Sequence, residues 1–404
     1  MRFFLTFGYQ MQAVIIGYYI YQLTHDPLAL GLIGLTEAIP AIGVAMYGGY
    51  VADKSEKRKL LLSIIFVMML SSGLLLWVTH PTTKHAVSAD TIVPFIYAVV
   101  FMTGLARGFM GPAVFSLMAQ IVPKEIYPNS STWNSSSWQT ASIIGPAAGG
   151  LLYGFYGVTA AFSAIVAFML ISLSFTFFFR KHPPTYIPKE NIFESLKQGI
   201  RFVFSSRMVI GAISLDLFSV FFGGAVALMP VLANDILKVG SEGLGIMRAA
   251  PALGAVLTML VMTRFSPMGK PWRNLLIAVT GFGLSIICYG LSRNFYLTLV
   301  FLFFEGAFDS VSVIIRSTIM QLLTPDEMRG RVSAVNSMFI GSSNEIGAFE
   351  SGLTARLMGT IPAIVFGGSM TLVVMGATWF KTKRLVNLNL EEIQTPVVAD
   401  TATP

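Results

Sequence analysis

Charge is what this sequence has least of. Asp, Glu, Lys and Arg make up 12% of its 404 residues, about half the ~25% of an ordinary soluble domain, so most of its surface cannot face water. A single cysteine, Cys288, excludes any disulfide within the chain. The four histidines (His25, His80, His85 and His182) fall in connecting segments and form no Cys/His cluster, so no metal site is expected. No Walker loop, G-x-S-x-G, H-E-x-x-H or glycine-rich dinucleotide loop occurs. The chain therefore reads as a non-enzyme with no cofactor, and not as an ATP-driven pump by itself. The net charge of +7 comes without a basic stripe interleaved with aromatics, which argues against a nucleic-acid partner.

What is present is apolar and long. Hydrophobic residues are 54% of the chain, and a bilayer-crossing helix needs about 20 of them in a row. Twelve such runs can be read: 2–23, 28–50, 60–79, 92–112, 131–155, 158–179, 208–232, 244–262, 275–291, 295–315, 332–357 and 360–380. The first opens at Met1-Arg2-Phe3-Phe4 and shows no A-x-A cleavage pattern, so it reads as a retained span. Most basic residues (Lys54, Lys57, Arg58, Lys59, Arg180, Lys181, Arg264, Arg273, Arg329, Arg331 and Lys381 among them) fall in even-numbered connections or the tail, against Lys84, Lys238, Arg293 and Arg356 in odd-numbered ones. Positive charge collects on the cytoplasmic side, which places both termini in the cytoplasm and the chain in a bacterial inner membrane.

The longest connection separates six spans from six, and the halves repeat. Glu37-Ala38-Ile39-Pro40-Ala41-Ile42-Gly43 aligns with Arg248-Ala249-Ala250-Pro251-Ala252-Leu253-Gly254, and Pro123-Lys124-Glu125 with Pro325-Asp326-Glu327. Repeats six spans apart keep the same orientation, the pattern of two bundles that rock about a central site. The expected fold is an all-α integral membrane protein of twelve transmembrane helices in two six-helix parallel-repeat bundles. Its parts are an N-terminal bundle over 1–179, a cytoplasmic linker over 180–207, a C-terminal bundle over 208–384 and a disordered tail over 385–404. Within the linker, Ile192, Phe193, Leu196, Ile200 and Val203 share one face of an amphipathic surface helix.

Between spans 2 and 3 stands Gly49-x-x-x-Asp53-Lys54-x-x-Lys57-Arg58-Lys59, which resembles motif A of the major facilitator superfamily. Gly145-Pro146-Ala147-Ala148-Gly149-Gly150 looks like that superfamily's antiporter motif, and Gly104-Leu105-Ala106-Arg107-Gly108 is similar to its span-4 arginine motif. Thr324-Pro325-Asp326-Glu327-Met328-Arg329-Gly330-Arg331 and Pro27-Leu28-Ala29-Leu30-Gly31 resemble the enterobactin-exporter and macrolide-efflux branch. The resemblance implies that Gly49, Asp53, Lys54, Lys57 and Arg58 form a gating loop, with Asp53 latched to the span-11 N-terminus; from the residues alone, Arg58, Arg107 or solvent serve equally as its partner. Where the motif has glycine for a turn the chain has Glu56, which would weaken the loop's gating contacts. Gly145, Pro146, Gly149 and Gly150 read as a hinge or a tight packing surface.

Charges inside spans carry the chemistry. Each of Glu37, Arg107, Asp216, Arg248, Glu305, Asp309, Glu345 and Glu350 costs roughly 2.5–3.5 kcal/mol at mid-span, so such residues mark function or obligatory pairs. Glu37 and Arg248 are repeat mates, suggesting an ion pair across the axis. Asp309 and Arg107 are mates too, suggesting another, and Asp216 has no evident partner. Glu305 and Asp309 lie one turn apart on one face. Carboxylates held out of water suit proton carriage.

These readings converge on proton-coupled export of a lipophilic or amphiphilic organic compound, drug-like or siderophore-like, by a chain that works as a monomer among membrane lipids. Two alternatives stand beside it: a facilitator or importer of a small organic anion held by Arg107 or Arg248, and a transport-inactive sensor or partner subunit.

Overall fold

The computed structural model describes residues 1–86, 88–123, 126–179, 192–325 and 328–387, leaving aside the side chains of some residues within helices, Asp53 and Arg207 among them. The helices are α1 (Arg2–Thr24), α2 (Pro27–Lys54), α3 (Lys57–Thr79), α4 (Pro81–Ala86), α5 (Ala89–Ile121), α6 (Tyr127–Phe177), α7 (Ile192–Ser205), α8 (Arg207–Phe222), α9 (Met229–Val231), α10 (Gly240–Arg264), α11 (Pro271–Leu291), α12 (Phe295–Leu323), α13 (Arg329–Met358) and α14 (Thr360–Lys381). Among the described residues, nine helical stretches are long and apolar enough to cross a membrane.

Three more spans follow from the geometry. The stretch Trp133–Phe177 is 45 residues long, and α6 reverses at Gly157, whose φ of 82° only glycine adopts without strain. Gly359, with φ 92°, makes the same turn between α13 and α14 at the equivalent point of the repeat. The other two, α1 and α13, are diluted by Gln10, Gln12 and tyrosines in one and by Arg356, Glu345 and Glu350 in the other. Helices packed against other helices need no continuous apolar surface, and α1 is mostly buried in the bundle.

Local chemistry sets the ends. Asp26 caps α2, its side chain accepting from the Leu28 N–H at 2.9 Å with Pro27 in the first turn; Asn294 caps α12 in the same way at 3.1 Å. Three elements run differently from the sequence reading. The α5 and α12 helices continue to Ile121 and Leu323, beyond the ends at 112 and 315 read from the sequence, because amphipathic ends protrude past a membrane without unfolding. Span 7 is broken: after α8 comes a 3₁₀ segment (Gly224–Leu228), then α9, then a π segment (Leu232–Ile236). Here Pro230 removes a backbone donor, and a Cβ on Gly224 would sit 2.5 Å from the Gly347 carbonyl oxygen, so the chain threads close against α13.

Between the halves, α2 packs on α13 and α6 on α10. Glycines permit both contacts. A Cβ on Gly31 would stand 2.9 Å from Phe349 Cα, one on Gly34 2.8 Å from the Glu345 carbonyl, one on Gly150 2.9 Å from Gly245 Cα, and one on Gly154 2.8 Å from Glu242 Cα. All lie toward the end bearing the α1–α2 and α13–α14 turns. The same end is tied by Asp26–Arg356 at 3.2 Å, by Tyr21 donating to Asp235, and by Tyr18 donating to Asn234 at 3.4 Å. Farther along the same faces burial fades: Gly31 and Ala38 of α2 are buried but Ile42 is 37% exposed, and on α6 Gly150 is buried while Ser136 is exposed. The halves meet at one end and part toward the other.

Candidate functional site: an ion cluster where the halves part

Four side chains from four helices meet at the last layer of contact. On α5, Gly104 and Gly108 let α2 approach so closely that a Cβ on either would lie 2.5 Å from the Glu37 carbonyl or 2.4 Å from a Val44 methyl. Between those glycines Arg107 reaches across and its Nη1 donates to Glu37 Oε1 at 2.8 Å. The same nitrogen donates to Glu345 Oε1 of α13 at 2.6 Å. Tyr9 of α1 donates its hydroxyl to Glu37 Oε1 at 2.5 Å, and the guanidinium stacks 4.9 Å above its ring. Glu37 is 6% exposed. A cavity of about 10 Å³, room for one water molecule, lies beside Glu37, Gln12 and Thr103.

The cluster joins the two halves, since Tyr9, Glu37 and Arg107 belong to one and Glu345 to the other. It also holds two carboxylates against one guanidinium. This corrects the expected pairing, because Glu37 bonds to Arg107 and not to its repeat mate Arg248, and Arg107 does not bond to Asp309. Tyr9 escaped the sequence reading, as nothing local distinguishes it from the other tyrosines of α1.

Arg248 instead packs against Gly150 of α6 and donates to the Val226 carbonyl of the broken span at 3.0 Å. It lies within electrostatic reach of Glu305 and Tyr289. Glu305 is 6% exposed, with Asp309 one turn along α12. Asp216 of α8, left without a partner by the sequence, forms a buried ion pair with Arg316 of α12. A tenth run that ends at 315 leaves Arg316 in a connection, whereas the structure buries it within α12; a lone mid-span Asp216 is the signal that a buried base lies opposite.

The loop between α2 and α3 is partly visible. Asp53 stands in the last turn of α2, its side chain outside the described set, so its expected latch has no geometry here. Both bases named as its alternative partners are engaged elsewhere: Arg107 as above, while Arg58 donates to the Phe177 carbonyl at 2.7 Å and lies 5.1 Å from that residue's ring centroid, a cation closing the end of α6. Lys57 is buried, and its ammonium donates to the Ser55 carbonyl at 3.2 Å. Glu56 has an ordinary extended backbone (φ −64°) and pairs with Lys59 at 3.0 Å, so the missing glycine costs the turn nothing.

Of the hinge candidates, Gly145 and Gly149 seat α1 on α6, with Cβ positions 2.8 Å from Gln10 Cβ and Met11 Cα, and Gly150 faces α10. The helix runs unbroken through Pro146; within α6 only Gly157 leaves helical geometry. This motif is a packing surface. Beside it a wholly apolar groove of about 600 Å³, lined by Ile144, Ile246, Leu253 and Phe303, runs between α6, α10 and α12.

Comparison with known proteins gives consistent results. The family model described as transmembrane secretion effector matches residues 2–397. An enterobactin exporter of Shigella boydii serotype 18 is 26% identical over 367 residues, covering 88% of this chain and 83% of the relative. The one of Shigella flexneri is 25% identical with the same coverage. Among solved structures, a D-xylose–proton symporter superimposes with a TM-score of 0.72 at 14% identity over 96% of this chain and 98% of its own. The inward-open xylose transporter of E. coli gives 0.66 at 16% identity, over 94% and 93%.

Proposed function

The chain belongs to the transmembrane secretion effector family of major facilitator transporters, and from that premise we propose that it is a secondary exporter of a lipophilic or amphiphilic compound, siderophore-like or drug-like, driven by protons in counter-flow. The observation that carries this reading is the cluster of Tyr9, Glu37, Arg107 and Glu345. It bridges two bundles, 1–179 and 208–384, at the level where they part. Enclosing two carboxylates with one guanidinium leaves a net negative charge, which is costly away from water. A proton on one carboxylate cancels it. Carried by Glu345, that proton loosens the bond to Arg107 that joins the halves, and its loss restores the bond, which ties the rocking of the bundles to proton movement. One proton crossing 100 mV supplies about 2.3 kcal/mol, enough for a substrate gradient on the order of fifty-fold.

Both termini are cytoplasmic on the Lys/Arg bias, in the inner membrane of a bacterium. On that orientation the end closed by Gly31, Gly150, Tyr21 and Asp26 is the outer one. The apolar groove beside α6 suits an apolar substrate better than a small anion. Arg107, bound to two carboxylates, is not free to hold an anion, which weighs against the importer reading; a transport-inactive subunit would have no use for a charge cluster between its halves. The test is dye-reported proton flux in everted vesicles with a panel of siderophores and antibiotics. At least one compound should collapse the proton gradient with the unaltered chain and fail to do so with Glu37→Gln or Glu345→Gln. Unchanged flux in both variants would refute the reading.

A further inference from the structure

Resting on that proton-coupled reading, we propose that the C-terminal half holds a second proton of its own, at Glu305 beside Asp309, Arg248 and Tyr289, so that each cycle exchanges two protons. The first support is the repeat. In the N-terminal half the acid, Glu37, stands on α2 and the base, Arg107, on α5. In the C-terminal half the equivalent helices are α10 and α12, and there the base, Arg248, stands on α10 and the acids on α12. Acid and base are exchanged between the equivalent helices, and each site sets two carboxylates against one guanidinium, the second carboxylate coming from α13 in the first site and from α12 itself in the second.

The second support is what the surrounding groups leave unpaired. Glu305 is 6% exposed and lies within electrostatic reach of Asp309 and Arg248. The Tyr289 hydroxyl, on a fully buried residue of α11, has no hydrogen-bond partner and lies within electrostatic reach of both Glu305 and Arg248. Arg248 Nε is likewise buried and unpartnered, its Nη2 being taken by the Val226 carbonyl. Three buried polar groups thus converge on one another without direct bonds. Buried groups of this kind are bridged by ordered water, which gives protons a path to the carboxylates.

The elements packed on α12 offer nothing else to balance the charge. Among the described residues, α10 presents Arg248, α11 presents Tyr289, and the Asp216 of α8 is held by Arg316. Arg248 balances one of the two carboxylates; a proton shared by Glu305 and Asp309 balances the other. The site lies in the half opposite Glu37 and differs from the first in making no bond across the interface. With two protons per cycle the substrate gradient that can be sustained is the square of that for one.

The experiment counts protons and needs no substrate. Purified protein in nanodiscs is stepped from alkaline to acidic buffer, proton uptake is read with a soluble pH indicator, and protonated carboxyls are followed by infrared difference spectroscopy. Glu305→Gln should take up one proton fewer than the unaltered chain and lose one carboxylic-acid band. Glu37→Gln should lose a different one, and the double variant both. Glu305→Asp, which keeps the carboxyl, should restore the count, so that loss through misfolding is told apart. An unchanged count and spectrum in Glu305→Gln overturns the second site, whatever the Glu37 arm gives. An unchanged count in Glu37→Gln with a deficit in Glu305→Gln instead overturns the first site and leaves this one standing.

Discussion

Replacing Glu345 by glutamine removes the charge that α13 contributes to the ion cluster while keeping the shape of the side chain. At 2.6 Å and an effective dielectric constant of about 20, the gross attraction to Arg107 is roughly 6 kcal/mol. Desolvation offsets much of it, and losing one partner of a buried pair costs about 3–5 kcal/mol in practice. The two side chains keep 26% and 19% exposure, which sets the figure at the low end, about 3 kcal/mol. At 1.4 kcal/mol per decade this moves the equilibrium between the closed and open forms of the end where the halves meet by about a hundredfold. If the closed form is favoured by about a hundred to one, the open fraction rises from about 1% to about half. Electron–electron resonance between spin labels at Tyr156→Cys and Tyr296→Cys reads that population directly. Both sites are exposed, 72% and 76%, and lie in opposite halves; Cys288→Ser removes the only native thiol. Glu37→Gln is the decisive contrast. Its charge sits in the same half as Arg107, and its loss leaves Arg107 wholly to Glu345, so that end should stay closed. Equal distance distributions in both variants, or opening in Glu37→Gln alone, would refute the assignment of Glu345 as the tie between halves.

Three further outcomes follow from the same geometry. Asp216→Asn or Arg316→Leu, each leaving a buried charge unpaired, should lower stability by about 3–5 kcal/mol, whereas the pair Asp216→Leu with Arg316→Met should recover most of it; the reactivity of Cys288 toward a fluorogenic thiol reagent on heating reads this. Gly104→Ala places a methyl carbon 2.5 Å from the Glu37 carbonyl and should cost about 1–3 kcal/mol while weakening the Glu37–Arg107 bond. Gly73→Ala, with open space around it, should be neutral in the same melt. Asp53→Asn should slow turnover with little change in substrate half-saturation, since Asp53 stands about four helical turns along α2 from Glu37; normal turnover would reduce the loop to a topology marker.

Much of the fold was legible because membranes enforce it. Lipid demands runs of apolar residues, and Gly157 and Gly359 divide those runs at equivalent points of the repeat. Legibility failed where protein replaced lipid as the neighbour. Span 7 was read as one helix because hydropathy does not register that Gly224 must pass within contact of Gly347, nor that Pro230 then redirects the backbone. Arg316 was mistaken for a loop residue because a charge ordinarily ends a span, and only the Asp216 facing it makes its burial tolerable. In the ion cluster the participants Glu37, Arg107 and Glu345 were identifiable as embedded charges, yet their pairing was not. Repeat symmetry suggested Glu37 with Arg248, while the actual contacts are fixed by Gly104 and Gly108, which bring α2 against α5, and by Gly34, which brings α13 against α2.

That last point bears on how the motif residues divide their work. The glycines of the span-4 and antiporter motifs set distances: Gly104 and Gly108 put Arg107 beside Glu37, and Gly149 and Gly150 hold α6 against α1 and α10 at once. A contact made by glycine backbones is tight but carries little directional bonding, so it can be lost and remade as a unit when the halves separate. The bonds that resist separation are instead few and polar: Arg107 to Glu345, Asp26 to Arg356, and the tyrosines of α1 to Asn234 and Asp235. Exposed ion pairs such as Asp26–Arg356 contribute about 0–1 kcal/mol, and hydrogen bonds to charged groups such as Asp235 about 1.5–3 kcal/mol. The half-buried Arg107–Glu345 contact is therefore the largest single term holding that end shut. It is also the contact that a single proton can weaken, by neutralising Glu345. Smooth glycine surfaces with a few polar ties between them, one much stronger than the rest, are what two bundles need if they rock as units under the proposed mechanism.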